Sequence, residues 1–225
     1  MTAPQMAEIA ALVGDPARAN ILSTLFDGRA QTPTELAFAA NVSPQTTSGH
    51  LAKLTQAGLL LVVKQGRYRY YRLATPLVAQ MLESIMAVAS LAPPRHRPRS
   101  AHEQILRRAR TCYDHFAGLL GVSIAVSLCT RGHLVLGDEG GHVTDTGLAF
   151  LKNFGADVSV SGQRPFCRAC LDWTERRPHI AGVVGASIAI RCFDLGWVKR
   201  ERNPRELAIT PKGRSGFLRE FGFAI

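Results

Sequence analysis

The stretch NVSPQTTSGHLAKLTQAGLL (residues 41–60) indicates the fold of the first part of the chain. Ser43, followed by a proline, is a typical helix start, because its side chain caps free backbone N–H groups and proline fits the first helical turn. Leu51 and Leu54 recur at helical spacing and predict a buried face, and polar side chains surround them. A short helix predicted over residues 34–40 precedes this one, so the two form a helix-turn-helix pattern.

A strand–turn–strand pattern follows. The segment VKQGRYRYYRL (residues 63–73) has β-branched and aromatic side chains around a Gln-Gly-Arg turn, as expected for a β-hairpin. In a helix-turn-helix the second helix enters the major groove of DNA, and the hairpin adds a wing. An apolar stripe at helical spacing, from Leu77 to Ala89, completes the region. We therefore predict that residues 1–91 form a winged helix-turn-helix domain for double-stranded DNA binding and dimerisation.

The predicted DNA contacts come from the second helix and the wing. Short polar side chains suit base edges, and basic side chains suit phosphates or the minor groove. Gly49 lies among them and weakens the helix by about 1 kcal/mol relative to alanine. The predicted contact residues are Ser43, Gln45, Thr46, Ser48, His50 and Lys53 from the helix, and Lys64, Gln65, Arg67, Arg69 and Tyr70 from the wing.

The order of helix-turn-helix, Ala-Gly-Leu exit (residues 57–59) and Gly-Arg wing resembles the ArsR/SmtB family of bacterial metalloregulators over residues 5–90. The resemblance implies a homodimer built partly on the terminal helices, in which the stripe from Leu77 to Ala89 is the dimer helix. It also implies a repressor of its own operon that an effector releases. A symmetric dimer is expected to prefer a palindromic operator.

Two metal sites that are common in this family have no ligands here. The helix before the recognition helix, over residues 35–40, contains no cysteine. The dimer helix, from Leu77 to Ala89, contains neither histidine nor aspartate. Any effector is therefore expected to bind the second half of the chain.

A basic, proline-rich segment, APPRHRPRS (residues 92–100), follows the winged-helix region. Its prolines cannot continue a helix and its arginines favour solvent, so we predict a linker there and a second domain over residues 101–225. The net charge of +10 indicates an anionic partner. The arginines in and after the linker form either a solvated surface or a segment that tracks DNA phosphates; they are Arg95, Arg97, Arg99, Arg107, Arg108 and Arg110.

The second domain contains an internal repeat. AGLLGVSIA (residues 117–125) recurs as AGVVGASIA (residues 181–189), and both copies end in Phe-Leu-x-x-Phe-Gly. We predict two repeats, about residues 101–160 and 165–225, each with the helix, hairpin and helix of a winged-helix-like unit. The helix predicted over residues 180–193 is too apolar to read DNA. The glycines expected to let the copies pack closely around a pseudo-twofold axis are Gly118, Gly121, Gly182 and Gly185.

The predicted fold class is mainly α with β-hairpin wings (α+β). It combines an N-terminal winged helix-turn-helix with a C-terminal tandem winged-helix-like repeat. We interpret the repeat as a sensor or assembly domain.

All five cysteines follow residue 110, so any thiol chemistry belongs to the second domain. Cys112 and His115 form a C-x-x-H, expected at the end of a helix. Cys167 and Cys170 form a C-x-x-C, and His179 follows. Thiolate and imidazole ligands suit zinc or another thiophilic divalent ion such as cadmium, lead or mercury. Because the two histidines are equivalent in the repeat, pseudo-twofold packing is expected to bring the clusters together.

Several interpretations of the second domain remain open at this stage. The five Cys and His residues sense a metal or a thiol-reactive signal, form a closed structural zinc site, or are only core and helix-capping residues. A small apolar or aromatic effector is a further possibility, bound in a pocket lined by Phe116, Phe154, Trp173 and Trp197.

Catalysis and a membrane location are not expected. The chain has no phosphate-binding glycine loop and no nucleophile–base–acid arrangement; a dithiol oxidoreductase using Cys167 and Cys170 is the remaining enzyme alternative. No apolar run reaches the roughly 18 residues of a membrane span, and the N-terminus lacks a signal-peptide pattern. We therefore expect a cytoplasmic, effector-responsive, homodimeric DNA-binding repressor.

Overall fold

The structure, a computed structural model, divides into two compact units, Met1–Met81 and Leu82–Ile225. The division falls within a helix, α5 (Pro76–Leu91), and so precedes the predicted linker at residues 92–100. Part of α5 belongs to the second unit because its Glu83 side chain contacts residues there. The linker lies outside the described residues, which are 3–91, 101–137, 140–159, 164–201 and 205–225.

The first unit has the element order of a winged helix-turn-helix. The hairpin strands pair in antiparallel register, and Gln31 forms a further bridge to Tyr71. The elements are α1 (Ala3–Gly14), α2 (Pro16–Thr24), a 3-10 turn (Leu25–Asp27), α3 (Pro33–Ala40), α4 (Pro44–Gln56), β1 (Leu60–Gln65), β2 (Tyr68–Leu73) and the start of α5.

Capping side chains set the helix starts of this unit. The Asp15 carboxylate accepts a hydrogen bond from the Arg18 N–H at 2.9 Å, and Ser43 Oγ accepts one from the Thr46 N–H at 3.1 Å. Both caps precede a proline at the first helical position. Thr32 and Glu35 form a reciprocal capping box at the start of α3. The predicted start of α4 is confirmed.

The second unit contains the same sequence of elements twice: hairpin, helix, hairpin, helix. A short helix, α6 (Ala101–Arg108), precedes the first series. The first series is β3 (Arg110–Cys112), β4 (His115–Ala117), α7 (Gly118–Thr130), β5 (Leu134–Gly137), β6 (Gly140–Val143) and α8 (Asp145–Phe154). The second is β7 (Arg168–Leu171), β8 (Pro178–Ala181), α9 (Gly182–Asp194), β9 (Val198–Arg200), β10 (Leu207–Ile209) and α10 (Pro211–Phe221).

The leading hairpin of each series corrects two predictions. The C-x-x-H of Cys112 and His115 lies in the β3–β4 hairpin, not at the end of a helix. The helix predicted from residue 180 begins only at Gly182, because Ile180 belongs to β8. A glycine with positive φ forms each strand-to-helix junction, Gly118 at +73° and Gly182 at +85°. A side chain would be strained there, and helical periodicity does not reveal such a junction.

The two series pack against each other reciprocally. α7 packs on β8, and α9 packs on β4. A Cβ atom on Gly121 would lie 3.4 Å from the His179 Cβ, and one on Gly185 would lie 3.2 Å from the His115 Cβ. The small helical residues therefore allow each helix to approach the histidine of the other series.

The core of the second unit is aromatic and aliphatic. The Trp197 ring lies 5.0 Å from that of Phe217 and 5.6 Å from that of Phe154, and all three side chains are buried. α9 is buried along most of its length, as expected from its composition. In the described part of the chain, every helix is too short or too polar to cross a membrane.

Candidate DNA interface and metal centre

The recognition helix α4 presents a polar face outside the core of the first unit. Leu51 and Leu54 are buried, which leaves Gln45, Thr46 and Ser48 exposed on the N-terminal half of the helix. Such short side chains can exchange hydrogen bonds with base edges. Lys53, one turn further on, is also exposed.

Two of the predicted contact residues already have roles within the helix. Ser43 Oγ caps α4 and also lies 2.8 Å from Thr46 Oγ1. Ser48 Oγ donates to the Pro44 carbonyl at 3.0 Å. Each hydroxyl oxygen keeps acceptor capacity for a partner.

His50 is held by a residue that the sequence analysis missed. The Arg18 guanidinium lies 3.5 Å from His50 Nδ1 and donates to the carbonyls of Ala11 and Leu12. Arg18 therefore fixes the α1–α2 corner and orients His50. Its position three residues after the N-cap Asp15 offered no sign of this longer-range contact.

The wing places Lys64 and Arg69 on one face of the hairpin. Lys64 lies directly opposite Arg69 in the β1–β2 register, and both are exposed. Like charges opposite each other destabilise a sheet, so an anionic partner on this face would relieve their repulsion. Gln65 and Tyr70 lie on the other face of the hairpin, because side chains alternate along a strand. Arg67, next to the turn, lies over the Tyr68 ring at 5.1 Å.

The arginines after the linker have different surroundings. Arg110 is fully buried and donates to Asp172 Oδ2 at 2.8 Å, so it does not form part of a phosphate-tracking surface. Arg107 is paired with Glu175 at 2.6 Å, and Arg108 is exposed. Arg95, Arg97 and Arg99 lie outside the described residues.

Four of the five predicted metal or effector residues form one buried group. The ligand atoms of Cys112, His115, Cys170 and His179 all lie within 4.8 Å of one another. Two thiols and two imidazoles are a frequent ligand set of four-coordinate zinc. The fifth residue, Cys167, is buried in the core of the second unit.

The strand register explains which cysteine joins the group. Cys112 is the cross-strand partner of His115, and Cys170 is the cross-strand partner of His179. Cys167 lies in a bend just before β7, whereas Cys170 lies within the strand. The Cys167 sulfur approaches Gly141 instead of the four-donor group.

The two imidazole rings lie next to each other with a carboxylate beside each. Their centroids are 5.1 Å apart. His115 Nδ1 lies 3.4 Å from Asp114, and His179 Nδ1 lies 3.7 Å from Asp172. Both Nε2 atoms are buried and have no hydrogen-bond partner among the described residues. The carboxylate at His115 Nδ1 leaves Nε2 of that ring as its candidate ligand atom, an arrangement common around metal-bound histidines, whereas either nitrogen of His179 is free of hydrogen bonds to the described residues.

The carboxylates beside the histidines are ionised. Burial raises the pKa of Asp114, but the opposite effect of His115 and Arg164 is larger. The pKa of Asp114 therefore lies below its usual range. Burial likewise raises the pKa of Asp172, and Arg110 and neighbouring hydrogen bonds depress it well below its usual range. The sequence analysis missed both residues.

Glu83 of α5 contacts the same group. Its Oε1 accepts a hydrogen bond from Cys112 Sγ at 3.6 Å and lies 3.9 Å from His115 Nε2. Its Oε2 forms an ion pair with Arg168. A sequence signal for Glu83 existed, since it is the one acidic residue within the apolar stripe of α5, and a buried carboxylate needs partners.

The Cys112 and Cys167 thiols have raised pKa values. The neighbouring Cys170 thiol and burial raise the pKa of Cys112 to about 12, although both histidines act in the opposite direction. Burial raises the pKa of Cys167 to about 11. Burial lowers the pKa of His115, but Asp114, Cys112 and Glu83 outweigh it and raise it to about 10. Reactive redox thiols instead have lowered pKa values and solvent access.

Comparison with known proteins assigns the chain to a family. Residues 13–63 match the helix-turn-helix domain family. The chain is 40% identical over 224 residues to the HTH-type transcriptional regulator YdfF of Bacillus subtilis strain 168, with 99% of each protein covered. The chain belongs to the HTH-type transcriptional regulators. Proteins of this class are generally not enzymes.

Two solved structures are also similar to parts of this regulator. One is the homodimeric winged helix-turn-helix DNA-binding domain Mb0332 of Mycobacterium bovis, described as a possible ArsR-family regulator. It is 25% identical to this chain, the match covers 43% of this chain and 89% of that one, and the TM-score is 0.38. The other is the cadmium metal-sensor CMTR of Mycobacterium tuberculosis: 30% identity, 42% of this chain, 97% of that chain and a TM-score of 0.33.

The aromatic pocket considered for an organic effector does not form around the expected residues. Trp197 and Phe154 pack in the core, Phe116 contacts Phe193, and Trp173 lies against Arg110. A cavity between the two series has a volume of about 10 Å³, which is space for a single water molecule. Its lining residues are Phe116, Gly121, Ile124, Ile180, Gly185 and Ile188.

Proposed function

We propose that this transcriptional regulator is a homodimeric repressor of the ArsR/SmtB type. The observation that carries the DNA-binding part is the exposed polar face of α4 beside a wing with Lys64 opposite Arg69. Their charge suits phosphates, and the helix suits base edges. Apolar side chains on the terminal helices support the dimer: Met6 of α1 is 72% exposed and Leu77 of α5 is 73% exposed.

We also propose that the second unit is a tandem repeat that acts as the sensor. The repeated element order and the reciprocal packing of α7 on β8 and α9 on β4 support this interpretation. The leading hairpin of each series supplies one cysteine and one histidine. The effector site would therefore lie where the two series meet.

The effector in this proposal is a thiophilic divalent metal ion, either zinc or a softer ion such as cadmium or lead. The single observation that carries it is the buried group of Cys112, His115, Cys170 and His179, with both imidazole Nε2 atoms unpaired among the described residues. Unpaired buried polar atoms are costly unless a ligand satisfies them. Two thiolates and two neutral imidazoles would neutralise a divalent ion.

A closed structural zinc site is the second candidate, and complete burial of all four donors favours it. A thiol-redox function is disfavoured because the Cys112 and Cys167 thiols are buried and their pKa values are raised. The two metal functions differ in one consequence. A sensor changes its DNA affinity with the metal, whereas a structural site changes only its stability.

The test is fluorescence anisotropy of the reduced protein on the DNA upstream of its own gene, with zinc, cadmium or lead added. We expect the metal to weaken DNA binding at least tenfold in the wild type. The double variant Cys112→Ser/Cys170→Ser should not respond, and the matched control Cys167→Ser should respond like the wild type. Tight binding that ignores every ion would exclude the metal response, and binding without sequence preference would exclude the repressor.

A further inference from the structure

The Glu83 carboxylate lies between the four-donor group and a charged partner. It accepts from Cys112 Sγ and approaches His115 Nε2, while its other oxygen is paired with Arg168. The Glu83 side chain is only 5% exposed. Arg168 lies two residues before Cys170 in β7, so both side chains are on the same face of the strand. Glu83 therefore contacts both hairpins that supply the donors.

Metal binding changes what Glu83 can contact. A divalent ion forms two bonds to sulfur and two to nitrogen, and it binds cysteine as thiolate. The thiol protons of Cys112 and Cys170 then leave to the buffer. A metal-bound Cys112 sulfur has no proton to donate, and an ionised carboxylate is an acceptor only. The hydrogen bond from Cys112 to Glu83 cannot persist once the ion is bound.

Because metal binding removes this hydrogen bond, we propose that Glu83 is the residue that reports metal occupancy to helix α5. The proposal rests on the metal response described above. Glu83 loses its donor and keeps Arg168, so we expect its side chain and the part of α5 that carries it to shift. α5 is one continuous helix that begins at Pro76 in the first unit. In this proposal Glu83 is a positioning residue of the switch and not a metal ligand.

Glutamine in place of Glu83 should no longer distinguish a Cys112 thiol from a metal-bound Cys112 thiolate. In Glu83→Gln the amide oxygen can accept from Arg168, and the NH2 group can donate to the Cys112 sulfur both as thiol and as thiolate. Both states of the sulfur then have a partner, so metal binding no longer forces a shift. The matched control is Glu220→Gln. It changes a partly exposed carboxylate that is paired with Arg219 in α10.

The experiment measures two quantities for wild type, Glu83→Gln and Glu220→Gln. Zinc affinity comes from competition with a chromogenic chelator, and coupling is the ratio of DNA dissociation constants with and without zinc. We expect all three proteins to bind zinc within about threefold of one another. The ratio should be at least tenfold for wild type and Glu220→Gln, and close to one for Glu83→Gln.

Each other outcome is decisive. A wild-type ratio in Glu83→Gln overturns the role of Glu83 but leaves the metal response intact. Loss of zinc binding in Glu83→Gln makes Glu83 a ligand and also overturns the proposal. A ratio of one in the wild type overturns the metal response itself. Hydrogen exchange of the wild type provides a check without any variant: zinc should change the exchange of the α5 peptide, and unchanged exchange would refute the proposal.

Discussion

Two glycines of the first unit, Gly49 and Gly58, are expected to differ in their effect on the free energy of unfolding. A Cβ atom added to Gly49 or to Gly58 meets no described atom within 4 Å. Gly49 lies within helix α4, whereas Gly58 has a φ of +71°. Each glycine therefore has room for a side chain, but the two differ in backbone conformation.

We expect alanine to have opposite effects at these two positions. Gly49→Ala should raise the free energy of unfolding by about 1 kcal/mol, because alanine is the better helix former. Gly58→Ala should lower it by about 1 kcal/mol, because a side chain strains the left-handed conformation. Urea denaturation of both variants measures the difference. A stabilised Gly58→Ala variant would contradict the assigned turn.

Residue spacing predicted part of the four-donor group. The repeat aligned His115 with His179, and the structure brings them together. It did not align their cysteines, because Cys112 is separated from His115 by a two-residue turn and Cys170 from His179 by a longer loop. Only the cross-strand register shows that the two pairs are equivalent. The choice between Cys167 and Cys170 likewise required knowledge of where strand β7 begins.

At the scale of elements, the recognition helix and the wing should contribute differently to DNA binding. Gln45 is exposed on α4 and suited to base edges, so Gln45→Ala should weaken binding to the operator by about 1–3 kcal/mol and leave unrelated DNA unaffected. Arg69 of the wing is suited to a phosphate, so Arg69→Ala should weaken binding to both DNAs and reduce the salt slope by about 1.

Anisotropy titrations at several salt concentrations separate the two effects. Arg219→Ala, which removes an exposed arginine of α10 in the second unit, is the control for net charge. A similar loss in Arg219→Ala and Arg69→Ala would show that the wing makes no specific phosphate contact. An equal loss for both DNAs in Gln45→Ala would remove Gln45 from base recognition.

Several elements of the first unit were predictable from sequence because local signals mark them. Asp15 and Ser43 cap the helices that follow, and Gly66 lies in the turn of the hairpin. The leading hairpins of the second unit carry no such signals. Strands β3 and β4 have three residues each, and Tyr113 in their turn has a φ of +56° without being glycine. Tertiary packing decides those turns.

For the whole molecule, packing explains why the second unit contains a buried polar group. The contacts of α7 with β8 and of α9 with β4 bury His115 and His179 together with charged side chains such as Arg110 and Asp172. Asp114 is a hydrogen-bond partner of His115 Nδ1, whereas both nitrogens of His179 and the Nε2 of His115 have no hydrogen-bond partner among the described residues. Sequence alone indicated the repeat and its ligand types, but not the carboxylates that orient them. Those carboxylates come from a turn and a loop with no motif.

Metal should stabilise the second unit in proportion to its occupancy. A ligand that binds only the folded state adds about 2.7 kcal/mol to the free energy of unfolding at a concentration of 100 times its dissociation constant. We expect zinc to raise the unfolding temperature of the wild type and of Cys167→Ser, and to leave Cys112→Ser/Cys170→Ser unchanged. Differential scanning calorimetry measures this, and the two units are expected to give separable transitions.

The same scan on chelator-treated protein distinguishes a sensor from a structural zinc site. The aromatic core around Trp197, Phe154 and Phe217 is formed by side chains that do not belong to the four-donor group. Because that core buries large apolar surfaces independently of the ion, we expect chelated protein to retain a cooperative transition at lower temperature and to bind DNA tightly. Loss of the cooperative transition on chelation would make the metal part of the fold, since a structural zinc site contributes folding energy directly.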